Sequence, residues 1–304
     1  TVERYTGILE HHLKPAFGTV KLSKLRATDL ERYYASSSLS PATLELHHTV
    51  FYSALASAVR KRIVSRNEAD LVDGKPRRRA KNDTTEIREH CWDAGEARAF
   101  LEVARKAGSQ QFAFYSLDLE LGLRKNELAG LMWKDIDLEA GTVRLVHQLT
   151  ARGSEPSFGP LKSGSPRTLD VSPAVVEALR AHRSHQAKLK IRNRAAYHDH
   201  GLVFAKEWKD LSRGRAKLGD PLQTNNIGQR EFSKLIKEAG VRSIKFHGLR
   251  HTAATLALLM GVPVKVVAER LGHSKTSITL DLYSHVVPGM GKDAAARVGS
   301  LLHG

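Results

Sequence analysis

The stretch K-F-H-G-L-R-H-T-A-A-T-L-A-L-L-M-G-V-P-V-K-V-V-A-E-R-L-G-H-S-K-T-S-I-T-L-D-L-Y-S-H, Lys245 to His285, decides the reading of this chain. Polar groups stand in it at fixed offsets inside otherwise apolar helical patterns. His247 and Arg250 are three residues apart and share a helix face. That face opens a helix, where free backbone N–H groups favour an anion. Ala253, Ala254, Leu256, Ala257, Leu258 and Met260 continue it as a buried stripe, and Gly261 ends it. Pro263 suits the first turn of a second helix, which carries Val264, Val266, Val267, Ala268 and Leu271 and stops at Gly272. His273 follows that stop directly. Tyr283 lies ten residues later, beside the amphipathic segment Ile278, Leu280, Leu282. Two histidines, an arginine and a tyrosine thus fall at the ends and edges of packed helices, held rigidly yet within reach.

The rest of the 304-residue chain sets the partner class. Its 48 lysines and arginines against 32 acids leave a net charge of +16. The excess is spread: residues 1–85 hold 15 basic and 9 acidic side chains, and 86–304 hold 33 and 23. Two basic parts are what one shared polyanion requires. A single cysteine excludes an intrachain disulfide and a cysteine-based metal site. No apolar run approaches a membrane span and no signal peptide is visible, so an intracellular protein is expected. The length suits two domains.

Residues 1–72 read as a helical domain. Val2, Tyr5, Ile8, Leu9 and Leu13 form a helical stripe that Pro15 to Gly18 should break. Thr28 with Glu31 has the capping-box pattern, and Ser40-Pro41 is a helix start. The stripe from Leu44 to Val59 ends in Arg60, Lys61 and Arg62. That basic end suits the helix dipole and equally suits phosphate contact. The pairs His11-His12 and His47-His48 are packing or surface residues, since neighbours on a helix do not face one site. Residues 73–85, with Lys75, Arg77, Arg78 and Arg79, form a basic linker fit to cross a nucleic-acid backbone.

A second domain spans residues 86–286. Asp93 with Glu96 caps one helix, and a second runs from about Gln110 to Leu121 and stops at Gly122. Arg124 then sits at the turn into a short helix with Glu127 three residues on. By itself that is an ordinary surface pair. Thr142 to Leu149 and Arg167 to Val171 read as strands. The loop between them, rich in Gly, Ser and Pro, carries Lys162. A long basic helix covers residues 173–193. His198 and His200 suggest a metal, but two ligands in a loop are too few. Leu202 to Phe204 reads as a short strand, and a helix from Thr224 ends at Gly240. The tail, residues 287–304, has a weak helix from Ala294 to Leu302 whose apolar face needs a partner.

Three signatures, H-G-L-R-H-T (247–252), L-G-H-S (271–274) and T-L-D-L-Y-S-H (279–285), resemble the tyrosine recombinases, the phage-integrase family of DNA strand-transfer enzymes. Arg124 with Glu127, and Lys162 in L-K-S-G-S-P-R-T, match two further boxes of that family. The resemblance covers nearly the whole chain, loosely at the N-terminus. It implies a mostly α fold with a small antiparallel sheet: an all-helical core-site-binding domain and a mixed α+β catalytic domain clamping duplex DNA. It implies Tyr283 as nucleophile, Arg124, Arg250 and His273 around the phosphate, Lys162 protonating the leaving 5′-oxygen, His247 relaying the tyrosine proton, and Glu127 as support.

The chemistry fits those side chains. Phenol is a poor nucleophile until deprotonated, with an ordinary pKa of about 10, and forked guanidinium donors suit the charge on the non-bridging oxygens. They supply the positive charge, so no metal or other cofactor is expected. The reading is therefore an integrase of a phage or mobile element, without an N-terminal arm-binding domain. It would act on core sites of double-stranded DNA in the bacterial cytoplasm or nucleoid. By resemblance it works as a homotetramer through a 3′-phosphotyrosine and a Holliday junction, with accessory DNA-bending or directionality proteins and a tail docked on a neighbouring protomer. Two alternatives stay open. Val264 to Tyr283 also scans as a helix-turn-helix of a non-enzymatic regulator, and a type IB topoisomerase would share the catalytic logic.

Overall fold

The computed structural model describes residues 2–77, 90–150, 157–162, 166–207, 217–273, 276–277, 279–280 and 290–303. The chain divides into two units, Thr1–Asn82 and Asp83–Gly304. It is mostly helical, with small antiparallel sheets in the second unit. None of the described helices is long and apolar enough to cross a membrane.

In the first unit, α1 (Val2–Ile8) runs through a π turn, Leu9–Leu13, into α2 (Lys14–Phe17). The expected break over Pro15 to Gly18 falls at its far end, and the helix runs through Pro15. The wider turn shifts the bonding register, with Lys14 N–H reaching the Leu9 carbonyl, and so absorbs the hydrogen bond that proline cannot make. The chain leaves the helix only at Gly18. Helix α3 (Ala27–Ser36) is capped at Arg26, two residues before the expected cap at Thr28. Asp29 accepts the Arg26 N–H at 3.0 Å, while Glu31 is engaged by the Asp73 N–H at 2.8 Å. Helix α4 (Pro41–Arg60) starts as read, Ser40 Oγ accepting from the Thr43 N–H at 3.3 Å. Leu13, Leu25, Leu30, Val50, Phe51 and Leu55 close the core. His47 is buried in it, its Nδ1 2.8 Å from the Tyr33 hydroxyl. That is the packing role expected of it.

The second unit is built around α6 (Ser109–Leu121), which is buried along nearly its whole length. It packs against α5 (Ala94–Ala107), α8 (Pro173–Arg192) and α11 (His247–Leu259). Helix α5 opens with reciprocal caps, Asp93 accepting from Glu96 N–H at 2.8 Å and Glu96 from Asp93 N–H at 3.1 Å. Gly122 ends α6 at φ 60°, and α7 (Lys125–Ala129) follows. Strands β1 (Ile136–Asp137), β2 (Thr142–Leu145) and β5 (Arg167–Asp170) form one antiparallel sheet in the order β1-β2-β5. Strands β3 (Gln148–Leu149) and β4 (Phe158–Gly159) pair separately. The expected single strand Thr142–Leu149 is therefore split at Val146 and His147. His147 Nε2 turns to the Gly130 carbonyl at 3.0 Å, and the backbone at Leu149 passes Gly130 where a side chain would not fit.

Leu202 to Phe204 is not a strand: only the isolated bridges Met132↔Leu202 and Ala205↔Pro221 flank it. The carbonyls of Leu202 and Val203 are taken by Gln186 and His182 of α8 instead of a neighbouring strand. Short α9 (Thr224–Asn226), a π turn at Ile227–Glu231 and α10 (Phe232–Ala239) follow, closed by Gly240 at φ 64°. Phe232 joins Trp92, Phe100 and Tyr115 in an aromatic cluster. Helix α12 (Val264–Leu271) packs on α11 through Ala254, Leu258, Val267 and Leu271. Met260 is not in that stripe. It lies past the last turn of α11 and is 83% exposed. Helix α13 (Met290–His303) carries Val298, Leu301 and Leu302 on its exposed surface.

Candidate active site

Three chain reversals meet at one place: the end of α6, the opening of α11 and the end of α12. Arg250 sits one turn into α11 and is 4% exposed. It donates from Nη1 to the Gly122 carbonyl and from Nη2 to the Leu271 carbonyl, both at 2.7 Å. Those carbonyls close two other helices, where acceptors lack helical partners. One guanidinium therefore ties three helices together. Arg124 does similar work beside it. Its Nη2 donates to the Gly272 carbonyl at 3.0 Å and its Nη1 to Glu127 Oε1 at 2.9 Å. Glu127 also accepts the Arg124 backbone N–H at 3.2 Å, so the pair caps α7 as well.

Glu127 is fully buried, unlike the carboxylate of a surface pair. Its second oxygen accepts from Arg167 Nη2 at 2.8 Å. Arg167 also donates from Nε to the Arg270 carbonyl at 3.0 Å. Burial raises the Glu127 pKa, but the Arg167 and Arg124 bonds outweigh it and hold the carboxyl below its ordinary value. The Arg167 guanidinium passes so close to Gly272 that any side chain there would meet Nη1 at 2.7 Å, and Gly272 has φ 67°. Both facts require glycine.

The reading of residues 1–304 missed Arg167. A signal was present. In strand β5 it alternates onto the same face as the buried Leu169, and an arginine on a core-facing position needs a carboxylate.

The two histidines complete the cluster. His273 follows α12, and its Nδ1 lies 2.8 Å from the hydroxyl of buried Thr279. Burial, then Arg250 and Arg124, push its pKa down to about 4. His247 opens α11 and stacks edge-on with His251, ring centroids 5.0 Å apart. Its pKa is lowered by desolvation and then by Arg250 and Arg124. His247 is nevertheless exposed, so the arginine charges are the firmer cause. Arg250 is itself pushed down to about 10 by burial and by Arg124. His247, Arg250 and His273 thus sit where their charged forms are disfavoured.

The sequence reading assigned the anion to free N–H groups at the start of α11. The structure corrects this: Gly248 N–H donates to the Lys245 carbonyl at 2.7 Å and Leu249 N–H to Phe246 at 3.1 Å. Side chains, not these two backbone groups, are what remain for an anion. Beneath them Asp118 is fully buried. Burial lifts its pKa to about 8, with Arg250 pulling it back. It lies below the cationic cluster with its carboxyl held well above the ordinary carboxylate range.

Lys162 stands apart, exposed in the turn after β4, and no hydrogen bond or ion pair joins it to the cluster among the described residues. Tyr283 lies outside the described residues, as do Arg78 and Arg79. Arg60, Lys61 and Arg62 are exposed at the end of α4, with Arg62 at φ 57°. Lys75 is paired with Asp70 at 3.8 Å, and Arg77 is exposed.

Residues 92–289 match the phage integrase family, and residues 1–37 match the phage integrase N-terminal SAM-like domain. A XerC-like tyrosine recombinase of Caldanaerobacter subterraneus subsp. tengcongensis is 27% identical over 99% of this chain and 78% of its own. An integrase of Streptomyces ambofaciens is 28% identical over 93% of this chain and 70% of its own. Among solved structures, the fold is similar to the Tn1549 transposon integrase in complex with transposon right end DNA. The TM-score is 0.73 at 20% identity, over 98% of this chain and 92% of that one. A lambda integrase dimer bound to a COC′ core site gives a TM-score of 0.60 at 16% identity, over 93% and 71% of the two chains. With a family match spanning most of the second unit and the cluster built within it, the chain belongs to the phage integrase family.

Proposed function

We propose that this protein cleaves and rejoins DNA at a specific site, recombining a phage or mobile element, with Tyr283 as the nucleophile. The observation that carries the proposal is the pair of anchored guanidinium groups. Arg124 and Arg250 each spend two N–H bonds on fixed acceptors, and a guanidinium has five to give. The remaining donors are held in place at the cost of mutual repulsion, which a phosphodiester would relieve. Attack of the Tyr283 oxygen on phosphorus places extra charge on the two non-bridging oxygens. Preorganised donors aimed at that charge need no reorganisation during the reaction.

His273, neutral at pH 7, donates a further bond. His247 takes or relays the phenol proton, and Lys162 protonates the departing 5′-oxygen. The bond from phosphorus to that oxygen breaks as the bond to tyrosine forms, giving a 3′-phosphotyrosine. Reversal by a partner strand's 5′-hydroxyl rejoins the DNA without ATP, through a Holliday junction. Glu127 and Arg167 touch no reacting atom. They are positioning residues for Arg124. The basic groups Arg60, Lys61, Arg62, Lys75, Arg77, Arg78 and Arg79 contact the DNA backbone. A homotetramer on two duplexes, with α13 docked on a neighbour and accessory DNA-bending proteins, is the expected assembly.

The test is covalent capture. Protein with chelator is incubated with nicked duplexes carrying randomised half-sites, and species that survive denaturant are recovered and sequenced. The wild type should yield joined species that vanish in Tyr283→Phe, and their sequences give the core site. Salt-sensitive binding with no covalent species in the wild type would instead favour a regulator.

A further inference from the structure

Away from the arginine cluster, His198, His200 and Asp220 each offer a ligand atom, and the three atoms lie within 4.8 Å of one another. His198 Nδ1 is 3.8 Å and His200 Nε2 3.6 Å from the same oxygen, Asp220 Oδ1. These separations are too long for hydrogen bonds. They are close to the roughly 3.3 Å between neighbouring ligands of a tetrahedral ion with bonds of about 2.0–2.1 Å. His200 Nε2 is buried and has no hydrogen-bond partner, a costly state for a polar atom. The gap between the three groups thus has the donors and the spacing of a cation site.

The backbone around them is fixed on both sides. His198 N–H donates to the Leu218 carbonyl at 2.8 Å, Gly219 N–H to Lys206 at 3.0 Å, and Lys206 N–H to Asp220 at 2.8 Å. Tyr197 and Leu218 form a bridge, as do Ala205 and Pro221. Gly219 has φ 87°, and a side chain there would collide with the His198 carbonyl. Asp220 Oδ2 accepts the Lys217 N–H at 2.8 Å, which leaves Oδ1 toward the histidines. Asp199, between them in sequence, is held elsewhere by Lys190 at 2.8 Å and the Gly201 N–H at 3.0 Å. The carboxylate is thus oriented by its own loop, as the outer bonds of metal ligands commonly do.

We infer that His198, His200 and Asp220 bind one divalent transition cation of the zinc class. Two imidazoles and a carboxylate suit that class, and three protein ligands leave a further position for water. The ion would staple the His198–His200 turn to the segment before α9. The site takes no part in the proposed recombination chemistry and stands or falls separately from it.

The full-length protein, stripped with chelator and dialysed, is titrated with Co2+ and with Zn2+. Expected are visible absorption bands of four- or five-coordinate Co2+ saturating at one equivalent, displaced by Zn2+, and a Tm raised by about 5 °C or more at a Zn2+ excess of 100-fold over Kd. His198→Ala, His200→Ala and Asp220→Asn should each weaken binding at least tenfold. If a variant fails to fold, Zn2+ protection of His198 and His200 from diethylpyrocarbonate in the wild type decides instead. No binding at 100-fold molar excess, or one-equivalent binding that all three variants retain, or unprotected histidines, would overturn the inference.

Discussion

Under the proposed function, Arg250 and Lys162 are two ways of holding a charged group for one reaction. The arginine is buried at the meeting of three helix ends, and two carbonyls fix it before any substrate arrives. The lysine is exposed in a turn, and among the described residues nothing in the cluster holds it. The difference teaches a division of labour. Groups that stabilise charge must be in place beforehand, because reorganising them during the reaction forfeits their advantage. A group that delivers one proton can arrive with the substrate, since loop tips move at little cost. Stability and activity should therefore be coupled at Arg250 and uncoupled at Lys162.

The largest expected effect is at Arg250. Arg250→Ala removes a transition-state donor and leaves the Gly122 and Leu271 carbonyls unpaired. Cleavage of a half-site duplex should fall at least 10²–10³-fold, and stability should fall by about 1–3 kcal/mol, read as a lower Tm. Arg167→Gln should be milder. It leaves Glu127 with one partner and lets Arg124 drift, so single-turnover cleavage should drop roughly 10–100-fold. DNA affinity should stay unchanged, a separation that simple unfolding would not produce.

The smallest effect is a change in pH dependence at Asp118. Its carboxyl is pushed up to about 8 by burial, so the folded state holds a proton that the unfolded state releases above the ordinary carboxyl range. That contribution is complete below pH of about 3.8 and is lost as pH rises through about 8. Asp118→Asn keeps the neutral shape and should flatten this part of the Tm profile between those limits. A wild-type profile no steeper than that of Asp118→Asn would contradict the raised pKa.

Much of this was legible in the chain itself. Ser40 with Pro41, Asp93 with Glu96, Gly122, Gly240 and Gly272 mark helix ends by local chemistry, and the helices begin and end there. The arginines and histidines of the cluster share short motifs with fixed offsets. What stayed hidden depends on contacts between distant segments. Nothing local distinguishes Glu127 from an exposed residue, because its burial comes from Arg167, 40 positions on. Asp220 reaches the two histidines from 20 residues away, a neighbour that the loop's own sequence does not record. The break over Pro15 to Gly18 was legible but not its exact place, because the register shift at Leu9–Leu13 that carries the helix through Pro15 has no signature of its own. The split at Val146 and His147 arises from the close pass of Gly130, which period-two alternation does not record.

The division of labour itself can be tested with one substrate. A duplex with sulfur replacing the bridging 5′-oxygen leaves as a thiolate, whose conjugate acid has a pKa of about 8.5 and so needs no proton from the protein. Cleavage rates are compared for Lys162→Ala and Arg250→Ala on the oxygen and sulfur substrates. The account predicts that sulfur restores Lys162→Ala to near the wild-type rate and leaves Arg250→Ala defective. Rescue of Arg250→Ala, or failure to rescue Lys162→Ala, would contradict the separate roles of the fixed clamp and the delivered proton.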